Sequence, residues 1–224
     1  MPPHSGSEPA RIKLAAFDVD GTLLRGPTIC ERIAASIGRS DEMRAMERLT
    51  SIQDITAARA EMISWYQSYD RAQLLRFVRS VTFAPGAREG VAALKRAGVL
   101  VALVSITWRF AVEWVALELH ANFAVGTQWD EDNTIAHFWP EDKAIWLAQC
   151  AANLGLTSAQ VAAVGDSEGD MQMLTSAGVG YFVGRDLRDL PSHVQHWPAG
   201  DIMEIAQDIL SVRNTAPGQA PRHT

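Results

Sequence analysis

Two pairs of aspartates, each placed directly after an apolar run, are the residues in this sequence best suited to chemistry. Asp18 and Asp20 stand in the segment DVDGT, at the end of the first apolar run. Asp166 and Asp170 stand in GDSEGD, directly after the run VAAV. Side chains alternate between the two faces of a strand, and ligands of open α/β sheets bind at the carboxyl ends of the strands. The spacing therefore predicts that these carboxylates meet at one sheet edge.

Each pair alone also has an ordinary structural explanation. An Asp-x-Asp-Gly segment can be a polar turn that follows a strand. Asp166 and Asp170 can serve as a helix cap and as a favourable acid in the first helical turn. Both pairs together are harder to explain in this way, because carboxylates gathered at one edge repel unless a cation neutralises them. Hard oxygen ligands of this kind suit Mg²⁺.

A hydroxyl and an ammonium group complete the candidate site. Ser105 closes the apolar run VALVS, and Lys143 begins a helical pattern. Near the acids, the two groups would clamp an anion that bridges to the metal, as phosphoryl transfer requires. Each also has a simpler interpretation, Ser105 as a turn residue at a strand end and Lys143 as a solvated helix start.

Short apolar runs alternate with helical patterns along the chain, and these elements must position the acids. The runs typical of buried strands are 12–19, 99–104, 123–125, 161–164 and 179–183. The helical patterns are 87–97, 110–119, 143–154, 170–177 and 202–210. Parallel strands need crossovers of about a dozen residues, which the helices supply. The prediction is an α/β fold with a Rossmann-like, three-layer core built on a parallel sheet.

One stretch breaks this alternation. Residues 28–81 carry no strand signal and contain only helical patterns, at 29–37, 42–49, 55–66 and 73–81. An all-helical insertion directly after the first strand is therefore predicted, with hinges near 24–27 and 82–86. The ends of the chain are rich in Pro, Gly, Ser and Ala, which favours disordered tails.

The motifs in this order resemble those of the haloacid dehalogenase-like (HAD) phosphatase superfamily. DVDGT, Ser105, Lys143 and GDSEGD match its four motifs, and the insertion resembles the helical C1-type cap of the phosphoserine phosphatase-like branch. The resemblance implies a core domain over 11–26 and 83–213, a cap domain over 27–82, and tails at 1–10 and 214–224.

The resemblance also implies a Mg²⁺-dependent phosphomonoesterase that forms an aspartyl-phosphate. Asp18 is expected to be the nucleophile, and Asp20 the general acid and base. Mg²⁺ is expected on the carboxylates of Asp18 and Asp166 and the carbonyl of Asp20, with Asp170 close by. Because a dehalogenase needs the nucleophile but no metal, Asp20 and Asp166 together favour a phosphatase.

Ser105 and Lys143 are expected to hold the phosphoryl oxygens. Other candidate substrate-binding residues lie beside the first and second motifs, with Thr22 expected to brace the first loop. They are Gly21, Thr22, Ile106, Thr107 and Trp108.

The substrate-selecting positions depart from those of phosphoserine phosphatases. Where those enzymes carry a Glu for the substrate amine, this chain has Pro27, with Glu31 a turn later. Where they carry a cap Arg for the carboxylate, it has Glu61, with Arg59 two residues away. The expected substrate is therefore a small organic phosphate other than phosphoserine.

Aromatic side chains offer an alternative lining for the pocket, suited to a flat or apolar leaving group. Trp108, three residues after Ser105, is the foremost candidate, and packing within the cap is the competing explanation. The other candidates are Trp65, Tyr66, Tyr69, Trp129 and Trp139.

Composition narrows the classes of function. The 224 residues are 47% hydrophobic with a net charge of −6, which fits a folded domain and disfavours nucleic acid as a partner. Cys30 and Cys150 stand far apart, so neither a disulfide framework nor a zinc site is indicated. No signal peptide or membrane span is recognised, and a reducing cytoplasm is expected. A phosphotransferase and a catalytically silent binding protein remain alternatives, and the oligomeric state is not predicted.

Overall fold

The computed structural model describes residues 10–185 and 189–214. The predicted tails lie outside the described residues except at Ala10 and Asn214, which pair with each other across a short antiparallel ribbon. Within the described ranges, no helix is long and apolar enough to cross a membrane.

A seven-stranded sheet forms the centre of the protein. The strands, in chain order, are β1 (Ala10–Arg11), β2 (Leu14–Phe17), β3 (Leu24–Arg25), β4 (Thr82–Phe83), β5 (Leu100–Trp108), β6 (Phe123–Trp129), β7 (Ile135–Ala136), β8 (Val161–Gly165), β9 (Val179–Phe182), β10 (Val194–His196) and β11 (Arg213–Asn214). The spatial order of the sheet is β10-β9-β8-β2-β5-β6-β7. Neighbours are parallel except β7, which runs antiparallel to β6.

Helices flank this sheet and also form the insertion. In chain order they are α1 (Ile29–Ser36), α2 (Ser40–Met46), α3 (Ile52–Tyr66), α4 (Arg71–Val78), α5 (Ala87–Arg96), α6 (Arg109–Leu119), α7 (Pro140–Asn153), α8 (Met171–Ser176) and α9 (Ile202–Ser211). Short 3₁₀ turns at Ser158–Gln160 and Glu168–Asp170 precede β8 and α8.

The period-two alternation of β2 divides the core into two layers. Ala15 and Phe17 belong to the apolar cluster that includes α5, α6 and α9. Leu14 and Ala16 belong to the other cluster, which includes α7 and α8. Helices therefore cover both faces of the sheet, which confirms the predicted three-layer α/β core. Within the seven-stranded sheet, the prediction missed β7 and β10, because runs of two or three residues are too short to show a period.

The predicted helical insertion is formed by α1 to α4, called the cap below. Its entrance and exit are the short strands β3 and β4, which pair with each other in antiparallel fashion. These strands fall in the predicted hinge segments 24–27 and 82–86. Buried cap residues such as Ile33 and Leu74 join the same apolar cluster as the α5, α6 and α9 layer.

Candidate active site

The carboxyl ends of three adjacent strands bring the candidate residues together. Because β2 lies between β5 and β8, Phe17 pairs with Leu103 on one side and with Val164 on the other. Asp18 follows β2 directly, and its N–H donates to the carbonyl of Val164 at 2.9 Å. Ser105 and Asp166, two residues past those partners, therefore reach the same edge.

Lys143, in the first turn of α7, bridges two of the aspartates. Its Nζ donates to Oδ1 of Asp18 at 2.7 Å and to Oδ1 of Asp170 at 2.6 Å. All three side chains are buried. Burial lowers the pKa of Lys143, but the two carboxylates outweigh it and raise that pKa above its ordinary value. The pKa of Asp18 is raised by burial and by Asp170 and Asp166, against the opposing effect of Lys143.

Asp170 holds the loop after β8 in place. Its Oδ2 accepts the N–H of Asp166 at 3.1 Å and, from Ser167, both the N–H at 3.0 Å and the hydroxyl at 2.8 Å. Its other oxygen is taken by Lys143. Both oxygens of Asp170 therefore have donors within the protein, and the residue fixes the geometry of Asp166 and Lys143.

The first loop supports Asp166 from the opposite side. The Thr22 hydroxyl donates to Oδ1 of Asp166 at 2.9 Å. Gly21 has a φ of +83°, and a Cβ there would lie 2.1 Å from Oδ2 of Asp166. Neither Gly21 nor Thr22 lines the cavity that Asp18 faces. Both residues position Asp166, and their predicted contact with substrate stays a prediction.

The aspartates form a set of oxygens suited to a divalent cation. One carboxylate oxygen each from Asp18, Asp166 and Asp170 lie within 4.8 Å of one another. Burial and Asp170 raise the pKa of Asp166, as expected for acids crowded together without full neutralisation. An acidic, oxygen-only set fits Mg²⁺. All three aspartates could hold it. Because both oxygens of Asp170 already accept hydrogen bonds, Asp18 and Asp166 are favoured as the direct ligands.

Asp20 links the core to the cap. Its Oδ1 accepts the N–H of Ile29, the first residue of α1, at 2.9 Å. Burial raises the pKa of Asp20 to about 7, with the Ile29 bond acting in the opposite direction. A carboxyl group with a pKa near neutrality can both give and take a proton, as a general acid and base must.

A cavity of about 380 Å³ separates these residues from the cap. Asp18, Asp20, Lys143 and Ser105 line its core side, and Ile106 and Thr107 also border it. The cap contributes both polar and apolar residues to the lining, and the apolar ones are called the apolar roof below. The roof consists of Met43, Met46, Leu49, Ile55, Ala58 and Met62.

The aromatic lining that the sequence offered as an alternative is absent from this cavity among the described residues. Trp108 is only 2% exposed and packs with Tyr66 and Trp129, at ring-centroid distances of 6.1 and 6.2 Å. It lies elsewhere because β5 continues through Ser105 and ends at Trp108, which places that side chain in the core. Trp65, Tyr69 and Trp139 do not line the cavity either.

The cap residues considered for a serine substrate are engaged elsewhere. Glu31 and Thr28 form a capping box at the start of α1, where the Thr28 N–H donates to the Glu31 carboxylate at 2.8 Å. Pro27 and Glu61 are not among the residues that line the cavity. Arg59 does line it, but its guanidinium contacts core carbonyls as described below.

Sequence analysis missed the methionines of the roof and the carboxylate of Glu47, which also lines the cavity. Met43 and Met46 are three apart on a short helix, a spacing that a packed core shows as well. Thr127 was missed too, although its hydroxyl donates to the Ile106 carbonyl at 2.9 Å. Recognising that β6 extends past Val125 would have pointed to it.

Comparison with protein families now adds to this geometry. A model described as haloacid dehalogenase-like hydrolase matches residues 15–175, which include all six acid, hydroxyl and ammonium residues above. The chain belongs to the HAD hydrolases. Within this HAD chain, the matched region begins in β2 and ends in α8, so it contains the cap.

Curated relatives of this HAD protein are named phosphoserine phosphatases. The enzyme of Halobacterium salinarum is 32% identical over 182 residues, which cover 75% of this chain and 83% of the relative. The enzyme of Albidiferax ferrireducens is 29% identical over 183 residues, which cover 75% of this chain and 77% of the relative. The chain matches only 43% of the length of SerB2 from Mycobacterium tuberculosis. These relatives confirm the prediction of a HAD-type phosphatase of the phosphoserine phosphatase-like branch.

Solved structures support the fold. A HAD family hydrolase from Salmonella enterica serovar Typhi superposes with a TM-score of 0.75 at 20% identity, covering 91% of this chain and 72% of the other. A substrate-bound phosphoserine phosphatase gives a TM-score of 0.65 at 21% identity, covering 91% and 95%. At these identities the comparison establishes the shared α/β fold.

Proposed function

We propose that this HAD phosphatase is a Mg²⁺-dependent hydrolase of small organic phosphate monoesters that works through an aspartyl-phosphate. The observation that carries the proposal is the double hydrogen bond of Lys143 to Asp18 and Asp170, made beside Asp166 and below a cavity of substrate size. A cavity of about 380 Å³ falls in the range of small-molecule sites.

In the first step, a carboxylate oxygen of Asp18 attacks phosphorus in line with the leaving group. The bond between phosphorus and the ester oxygen breaks, and the electron pair stays on that oxygen. Asp20 supplies the proton that converts the leaving alkoxide to an alcohol. The ammonium of Lys143, next to Asp18, offsets the repulsion between a carboxylate and a phosphate dianion.

In the second step, water attacks the phosphorus of the aspartyl-phosphate. Asp20, now a carboxylate, accepts the proton of the water, and the bond from Asp18 to phosphorus breaks to release phosphate. Ser105 is buried at the cavity wall, where its hydroxyl can hold a phosphoryl oxygen during both steps.

Mg²⁺ bound to Asp18 and Asp166 would supply positive charge to the transferring phosphoryl group. The carbonyl of Asp20 is a third proposed ligand. The residues of the chain supply the rest: Thr22 and Gly21 keep Asp166 in place, and Asp170 orders the loop that carries it.

Phosphate release from a panel of monoesters tests the proposal, with Mg²⁺ or EDTA and with Asp18→Asn as the paired variant. Release that needs both Mg²⁺ and Asp18 supports it. Release that persists in the Asp18→Asn variant contradicts the nucleophile assignment. Adding a second alcohol to the assay separates hydrolysis from phosphoryl transfer, because transfer would yield a new ester in place of free phosphate.

A further inference from the structure

The charged groups around the active-site cavity restrict what the leaving group can be. Among the described residues that line it, the anionic ones are Asp18, Asp20 and Glu47, and the cationic ones are Lys143 and Arg59. Lys143 is already shared between two core aspartates. Among the described residues of this lining, Arg59 therefore remains as the one cation that could receive a negative group on the leaving alcohol.

The guanidinium of Arg59 has no free pair of donors for a carboxylate. Its Nη2 donates to the carbonyls of Ile106 at 3.1 Å and of Phe138 at 3.2 Å, and its Nη1 lies 3.0 Å from Nδ1 of His137. A bidentate contact uses Nη2 together with either Nη1 or Nε. Because both hydrogens of Nη2 are taken, neither arrangement is open to a substrate carboxylate.

Stacking further fixes the side chain of Arg59. Its guanidinium carbon lies 4.5 Å from the ring centroid of Trp139, and the residue is only 5% exposed. Turning toward a ligand would break two hydrogen bonds to carbonyls and the stacking contact together. Arg59 is therefore a structural tie between the cap and the core.

Most of the other cap residues that line the cavity are apolar. The apolar roof brings three methionines over the catalytic aspartates, and methionine adapts its shape to aliphatic groups of varied outline. Glu47 lies beside it, with its carboxylate accepting the Thr28 hydroxyl at 3.1 Å. A carboxylate on the substrate would meet repulsion from Glu47, and Arg59 would offer it no bidentate contact.

We infer that the substrate is a phosphate monoester of a largely aliphatic alcohol that carries no carboxylate and whose chain packs against the apolar roof. This inference rests on the proposed function, since it names the leaving group of the same reaction. It excludes an amino acid as the favoured leaving group, in contrast to the named substrate of the curated relatives.

Binding of n-alkylphosphonates from methyl to hexyl, measured by calorimetry in the presence of Mg²⁺, tests the inference without turnover. Each buried methylene should tighten binding by up to about fourfold. The amino acid 2-amino-4-phosphonobutanoate should bind more weakly than butylphosphonate. Affinities that do not change with chain length, or tighter binding of the amino acid, would overturn the inference.

Turnover and binding separate the two proposals. Alkylphosphonate binding that tightens with chain length, without Asp18-dependent hydrolysis of any ester, would remove the proposed function and leave the assignment of the cavity intact. Asp18-dependent hydrolysis that favours phosphoserine over butyl phosphate would support the proposed function and contradict the inferred leaving group.

Two isoleucines of α3 provide a matched pair of variants. Ile55 is part of the apolar roof, whereas Ile52, nearly one turn earlier, is 59% exposed and does not line the cavity. Ile55→Gln should weaken hexylphosphonate binding about fivefold or more relative to methylphosphonate, and Ile52→Gln should change neither. If the two variants have the same affinity for hexylphosphonate relative to methylphosphonate, and thermal unfolding is unchanged in both, the contact between the alkyl chain and the roof is contradicted.

Discussion

The guanidinium of Arg59, on cap helix α3, donates a hydrogen bond to the main-chain carbonyl of Ile106, on core strand β5, at 3.1 Å. Thr127 donates to the same carbonyl from β6 at 2.9 Å. Ile106 directly follows Ser105, so the position of the cap is coupled to the backbone that carries a proposed phosphoryl-binding residue.

Replacing Arg59 by lysine should loosen the cap. An ammonium cannot reproduce the planar contact with two carbonyls and a tryptophan ring. The free energy of unfolding should fall by about 2 kcal/mol or more, since hydrogen bonds from a charged group contribute about 1.5–3 kcal/mol each. Urea denaturation measures this change. Arg76→Lys, at an exposed cap position, is the control and should stay within about 0.5 kcal/mol of the original protein.

Gly21→Ala should weaken Mg²⁺ binding more than it destabilises the fold. The new Cβ would collide with the Asp166 carboxylate and force it away from Asp18. Gly38→Ala is the matched control, because Gly38 also has a positive φ of +74° but no atom lies within 4 Å of the new Cβ. Calorimetric titration with Mg²⁺ should show at least about tenfold weaker binding in the first variant only. Equal affinities in both variants would argue against Asp166 as a ligand.

Lys143→Met should destabilise the protein strongly in the absence of metal. It would leave Asp18 and Asp170 facing each other in a buried site without their shared cation. Breaking a buried ion pair from one side costs about 3–5 kcal/mol.

Adding Asp18→Asn to that variant removes one of the two stranded charges. The double variant should therefore be more stable than Lys143→Met alone, when unfolding is followed in EDTA. If the changes in the free energy of unfolding of the two single variants simply add in the double variant, Lys143 and Asp18 are not coupled.

Cys30 should resist alkylation up to strongly alkaline pH. Burial raises the pKa of its thiol to about 12, although a contact with Thr107 opposes this effect. The thiolate is the reactive form, so the rate with iodoacetamide should keep rising between about pH 8 and 11. Mass spectrometry of a Cys150→Ser variant isolates Cys30. A rate that levels off near pH 8.5, where an ordinary thiol titrates, would contradict the raised pKa of Cys30.

The raised pKa also fixes the sign of the effect on stability. The folded protein holds the Cys30 proton more tightly than the unfolded chain does. This contribution is fully present below the unfolded pKa of about 8.5 and is lost as the pH rises toward about 12. Cys30→Ser should reduce this alkaline dependence.

Much of the core could be predicted because its determinants are local. The strands around Asp18 and Asp166 are uninterrupted apolar runs, and glycines after the helices at 98, 155 and 178 mark their ends. The strand ends were less predictable. β5 extends to Trp108 because it pairs with β6, and β6 extends to Trp129 because its last residues pair with β7. Such pairing leaves no periodic signal in either segment.

The sequence by itself determined which chemistry is available: the order of the aspartates, the hydroxyl and the ammonium, and their places at strand ends. Those features depend on residue type and on short-range periodicity. Tertiary structure decided what surrounds them. Arg59, Met62 and Trp108 could each have faced a ligand, and their exposure depends on how the cap packs on the core. That packing turns Trp108 inward, binds Arg59 to carbonyls and leaves methionine over the catalytic aspartates.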